Sequence, residues 1–171
     1  MIDFENTTID SPDDFFKKAN LIFHWILAVP LLIFIFLYLE KRDDHWIPLL
    51  TDPLTVTILS YFLFPASITF LFIGFKAFRD RVQAYKTMNL LKDKILIFYK
   101  AFAAQQLLFG LSSFLSLIGL YLTGNNGFAI FYMVVLFLSS IYRPSPSRVC
   151  HDLKLNKEDR EIVYKKKPFT V

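Results

Sequence analysis

The sequence predicts an all-α integral membrane protein, with four transmembrane helices in an up-down bundle and a short helical tail. Hydrophobic residues make up 54% of the 171 positions, 20 of them phenylalanine, where soluble domains stay nearer about 45–50%. Three runs, Ala19–Leu39, Leu54–Phe75 and Ala101–Gly124, contain no Asp, Glu, Lys or Arg, and a shorter run, Gly127–Tyr142, is uncharged too. A helix rises about 1.5 Å per residue, so roughly 20 residues cross a ~30 Å hydrocarbon core. The expected spans are about 19–39, 54–75, 101–122 and 126–142, within a transmembrane domain over 1–142 and a basic tail over 143–171. The fourth reaches the required length only with Asn125 and Asn126 at one interface, or with the helix nearly upright.

Each element has its own punctuation. "SPDD" at Ser11–Asp14 reads as an N-cap, a proline at the first helical position and acidic residues in the first turn, so the first helix starts ahead of the membrane. Its acidic flank and long apolar core do not read as a cleaved leader. "TDP" at Thr51–Pro53 opens the second helix in the same way. The segment from Phe75 to Lys100 lacks glycine and proline, which predicts that the second and third helices extend beyond the bilayer as a charged hairpin. "TGNNG" at Thr123–Gly127 is a tight connection, with Gly124 ending the third helix and an asparagine capping the fourth. Beyond it, Ser145 or Ser147 suits the cap of a short helix reaching Leu153, and Asn156 the cap of another. Pro30 and Pro65 are expected to kink the first two helices. Trp25, Tyr38, Trp46 and Tyr121 suit interfacial positions.

Charge sets the orientation. Four crossings leave seventeen of the 19 basic residues on the side of the termini and the second connection, and only Lys41 and Arg42 on the other. Positive residues stay cytoplasmic, so a multi-pass protein of the inner membrane with both termini cytoplasmic is expected. The formal net charge of +4 therefore reports topology rather than nucleic-acid binding, and no aromatic-basic nucleic-acid motif accompanies it. Cys150 is the single cysteine, so no intrachain disulfide forms.

Two weak matches hint at a repeated two-helix hairpin. Lys18-Ala19 aligns with Lys100-Ala101, and Arg81-Val82 with Arg148-Val149. Duplication and chance identity both remain open. "YLTGN" at the end of the third helix, followed by an apolar helix closing on "YRPSPSRVCHDLKLNKED", resembles a group of small four-helix membrane proteins common in Bacteroidota. The resemblance covers roughly residues 90–163 and, more weakly, the first helix. It implies a fold and a lineage but no activity. Members of that group often carry a Glu in the third helix near the position of Gln105 and Gln106, and its replacement here weakens a proton-carrier reading.

The polar residues of the spans lie at helical spacing. Gln105, Ser112, Ser116, Gly119 and Thr123 share one stripe of the third helix, with Gln106 beside it. Asn20, His24 and Ala28 form a stripe on the first, and Ser60, Ser67 and Gly74 on the second. Leu117 and Leu120 are expected on the lipid side. Two readings compete for Asn20, His24, Gln105, Gln106, Ser112 and Ser116, namely close helix packing with interhelical hydrogen bonds and a polar or ligand-facing path. No Asp or Glu lies within any span, which opposes a proton or cation path. His24 is the one membrane-embedded titratable group of interest, and a haem held by two histidines lacks its second ligand within one chain. No catalytic constellation, zinc spacing or phosphate loop occurs, so neither metal nor cofactor is expected. Cys150, beside Arg148 and His151, reads either as an inert thiol or as one with a lowered pKa.

Three function classes follow. The first is a non-catalytic accessory or scaffold subunit of a larger inner-membrane assembly, with Arg143, Arg148, Lys165, Lys166 and Lys167 as its cytoplasmic contact residues. The second is a small oligomeric transporter or channel, and the third a membrane enzyme or cofactor carrier. The lack of intramembrane carboxylates, of a paired ligand and of a catalytic constellation leaves the first ahead. Its expected partners are the lipid bilayer and other membrane subunits or further copies of the chain, with no nucleic acid.

Overall fold

The computed structural model describes residues 9, 11–42, 48–83, 88 and 90–169, and helix is the regular structure among them. The helices are α1 (Pro12–Arg42), α2 (Pro53–Gln83), α3 (Leu91–Thr123), α4 (Asn126–Ile141), α5 (Pro146–Asp152) and α6 (Lys157–Lys165). Long helices are what apolar runs of this length must form in lipid, where each backbone polar group needs an internal partner. Pro30 and Pro65 lie inside unbroken α1 and α2.

The caps set the boundaries. Ser11 Oγ accepts from Asp14 N–H at 3.2 Å, and Asp52 Oδ2 accepts from Thr55 N–H at 2.9 Å. Gly124 ends α3 at φ 65°, where its N–H donates to Leu120 O at 2.8 Å. Asn125, Ser145 and Asn156 cap α4, α5 and α6 through their side chains. These oxygens satisfy N-terminal amides that a helix cannot pair by itself. The choice between Ser145 and Ser147 is thus resolved for Ser145.

Three helices, α1, α2 and α3, are long and apolar enough to cross a membrane on their own. At 31 to 33 residues they run about 46–50 Å, well beyond a ~30 Å core. α4, with 16 residues, spans only about 24 Å. A fourth crossing is available if α4 and α5 act as one broken span. Several apolar helices of this kind mark a membrane-embedded protein.

The chain forms two compact units, which the long helices thread in turn. One contains His24–Gly74 and Leu107–Tyr142. Its middle is α3, whose Phe109, Ser112, Ser116, Leu117 and Leu120 are all buried. Phe128 of α4 stacks on Phe64 of α2 at 4.0 Å, and Phe34 of α1 on Tyr132 of α4 at 4.8 Å. Aromatic pairs at such separations add about 0.5–1.5 kcal/mol to the burial itself.

The other unit contains Phe75–Gln106, Arg143–Val171 and the residues up to Phe23. Phe15 meets Phe98 edge-on at 5.9 Å, and Phe98 meets Phe78 at 5.5 Å. The tail contributes Val149, Leu153, Leu155 and Val163, each almost wholly enclosed. The tail shares a core with the ends of α1, α2 and α3 instead of standing apart as a segment of its own.

Candidate functional site

The α3 stripe is enclosed as its spacing predicts. Gln105, Ser112 and Ser116 have no exposed surface and Gln106 almost none, while Leu107, Leu111, Phe114, Ile118 and Tyr121 form the exposed face. Ser112 Oγ donates to Ser67 O of α2 at 2.8 Å, joining two stripes that the sequence placed on separate helices. Ser116 and Thr123 donate back into α3, to Ser112 O at 2.8 Å and Gly119 O at 2.7 Å. Such back-bonding satisfies a hydroxyl without any partner helix.

The glycines and serines serve close approach. A Cβ on Gly119 would sit 2.5 Å from the Phe128 ring, and one on Gly110 would sit 3.0 Å from Ile26. Gly74 faces Phe109 in the same way, at 3.1 Å. Small residues therefore let α3 reach α1, α2 and α4, the usual device where no hydrophobic effect drives helices together.

Gln105 is different. It is fully buried, and among the described residues neither of its amide atoms has a hydrogen-bond partner; Gln106 Nε2 is in the same position. A buried polar group left unpaired costs about 1–3 kcal/mol. The pair cannot carry protons, because an amide does not titrate.

Two expectations need correction. The Asn20–His24–Ala28 stripe does not pack, since His24 and Ala28 are exposed and Asn20 is half-buried. At about 100° per residue, the buried face of α1 follows Phe23, Pro30, Phe34 and Leu37, and His24 lies roughly 120° around from it. His24 thus lies on an exposed face of α1 and is not enclosed in a polar path. Leu117 and Leu120 do not face lipid either. Both are buried in a cluster with Phe34, Leu37, Phe128 and Tyr132, because α1 and α4 cover a flank of α3 wider than one stripe. Trp25, Tyr38 and Tyr121 are exposed, as interfacial aromatics would be. Trp46 and most of the connection between α2 and α3 lie outside the described residues.

The tail residues divide by role. Arg143, Lys165, Lys166 and Lys167 are exposed. Arg148 turns inward, its Nε 3.3 Å from Asp152 Oδ2 and its guanidinium 4.8 Å from the Phe78 ring centre. It is a packing residue more than a contact residue. Lys166 takes a left-handed conformation at φ 52° and pairs with Asp13 at 2.8 Å. Hydrogen bonds from Lys166 and Lys17 hold the Asp13 carboxyl down at about 2. The sequence offers no signal for a pairing 153 residues apart. Burial pushes the Cys150 thiol up, against the opposing charge of Arg160. A thiolate is therefore disfavoured, and the activated-cysteine reading loses its physical basis.

Among the described residues no three His, Cys, Asp or Glu side chains converge as a metal site would require. No family model, curated protein or solved structure matches this chain.

Proposed function

We propose that the chain is a non-catalytic, multi-pass protein of the inner membrane with both termini cytoplasmic, serving as an accessory or scaffold subunit of a larger assembly. Kinship with the small four-helix membrane proteins of Bacteroidota is part of this proposal and rests on residues 90–163 of the sequence. One observation carries the functional reading. The tail is folded against the ends of α1, α2 and α3 in a shared apolar core, so Arg143, Lys165 and Lys167 stand on an ordered surface. An ordered charged surface favours a defined partner, because little conformational entropy remains to be lost on docking.

Deleting the tail would be a poor test, since it strips Val149, Leu153 and Val163 from a core. Reversing exposed charges is cleaner. Arg143→Glu, Lys165→Glu and Lys167→Glu together should leave helicity and membrane insertion intact while a partner co-purified with the natural chain is lost. If the purified natural chain moves a solute across liposomes without any partner, the alternative of a small oligomeric transporter or channel replaces this reading.

A further inference from the structure

Near the Arg42 end of α1, a groove of about 690 Å³ opens between α1 and α4. Its walls are apolar, built from Phe34, Leu37, Leu120, Ala129, Ile130 and Met133. Its polar lining comes from Tyr38, Lys41, Arg42 and Asn126. Lys41 Nζ donates to Gly124 O at 2.7 Å and to Asn126 Oδ1, which fixes the ammonium at the end of the bundle that holds the α3–α4 turn. Arg42 beside it is exposed. From Phe34 to Arg42 the lining follows α1 for about 12 Å of helix rise.

Amphiphilic order of this kind matches one class of ligand. We propose that the groove holds a single phospholipid, its phosphate against Arg42 and one acyl chain laid along Leu37, Phe34 and Met133. The inference rests on the membrane-embedded reading, with the end of α1 at the non-cytoplasmic interface. Lys41 and Arg42 are the two basic residues on that side, where the orientation rule disfavours them, and a guanidinium pairs with a phosphate through two parallel charge-assisted hydrogen bonds. An apolar helix of a second copy would bury the same walls, whereas a phospholipid gives Arg42 its countercharge within the ligand that fills the groove, and a dimer is an outcome the test distinguishes. Glu40 is not part of the lining. One guanidinium set against one phosphate suits a headgroup with no further net negative charge, such as phosphatidylethanolamine.

The test is native mass spectrometry of the full chain, purified in detergent and titrated with phosphatidylethanolamine or with diacylglycerol of the same chains. One phosphatidylethanolamine should be retained per chain, with no comparable retention of diacylglycerol and no competition from glycerophosphoethanolamine. Arg42→Ala should weaken retention about tenfold, the scale of one hydrogen-bonded charge contact. Ala129→Trp should fill the groove and abolish retention, and Phe62→Ala, on the exposed face of α2, should change nothing. Should Ala129→Trp fail to fold, the surface change at Arg42 still decides. Equal retention of diacylglycerol, full competition by the free headgroup, retention indifferent to Arg42→Ala, or a dimer in place of the lipid would each overturn the proposal. Alkaline carbonate extraction separates the two levels of failure. A chain released by carbonate defeats the membrane reading itself, whereas a chain that stays in the membrane but retains no lipid defeats the groove alone.

Discussion

Gly119, Ser112 and Gln105 lie on one stripe of α3, yet their side chains meet three different situations. Gly119 leaves no room, since even a Cβ would reach to 2.5 Å of Phe128. Gly119→Ala should therefore cost about 1–3 kcal/mol through overpacking, read as a lower melting temperature in detergent, and Phe128→Leu in the same chain should restore part of the loss. Ser112 donates a buried hydrogen bond to Ser67 O, so Ser112→Ala should destabilise by the ~0.6 kcal/mol typical of such bonds in membranes. Gln105 runs the other way. With both amide atoms buried and unpaired among the described residues, Gln105→Leu should raise the melting temperature, because it removes a desolvation cost of about 1–3 kcal/mol. A fall instead would mean that the amide meets a partner in the assembled protein. That these residues face inward was legible from their spacing. Which of them is satisfied was not, because spacing fixes the face of a helix and says nothing about the atoms opposite.

The tail illustrates what an element gains from distant contacts. α6 has nine residues, too few for a stable isolated helix, and it persists through the Asn156 cap, the burial of Val163 and the Lys166–Asp13 pair. Asp13 has a folded-state pKa of about 2, below its ordinary 3.8. Its contribution is thus fully present above the ordinary value and disappears as pH falls from about 4 towards 2. Protection of the α6 amides, taken relative to their intrinsic exchange rates, should fall across that window, and Lys166→Ala should show the lower protection already at pH 7. Protection unchanged by both would mean that Val163 and the Asn156 cap hold the helix without the pair. The α6 cap was legible and the α5 cap narrowed to Ser145 or Ser147, because a cap acts within three residues. The inward turn of Arg148 was not, since it depends on Phe78 of a different helix.

For the whole molecule, the testable statement is orientation. Alkaline phosphatase fused after Val171 should be inactive and a fluorescent reporter there bright, with the reverse result for fusions near Asp43. An active phosphatase at the C-terminus would invert the arrangement and move the tail surface away from any cytoplasmic partner. The placement of seventeen of 19 basic residues supports the expected result. The tail makes that side more than a set of topogenic charges, because its apolar residues share a core with the ends of the long helices.

The sequence by itself determined the apolar helices, their caps and the inward stripe of α3. Each depends on residues within a few positions of one another, where helical spacing and local hydrogen bonds decide the outcome. Only the tertiary structure decided that His24 lies off the packed face, that Leu117 and Leu120 are enclosed, and that a groove opens between α1 and α4 beside Arg42. Leu, Ile and Phe look alike to hydropathy whether they meet lipid or a neighbouring helix, since both surroundings are equally apolar. The distinction lies in which helices stand beside which, and that is settled by the fit of Gly119 to Phe128 and Ser112 to Ser67 across the chain.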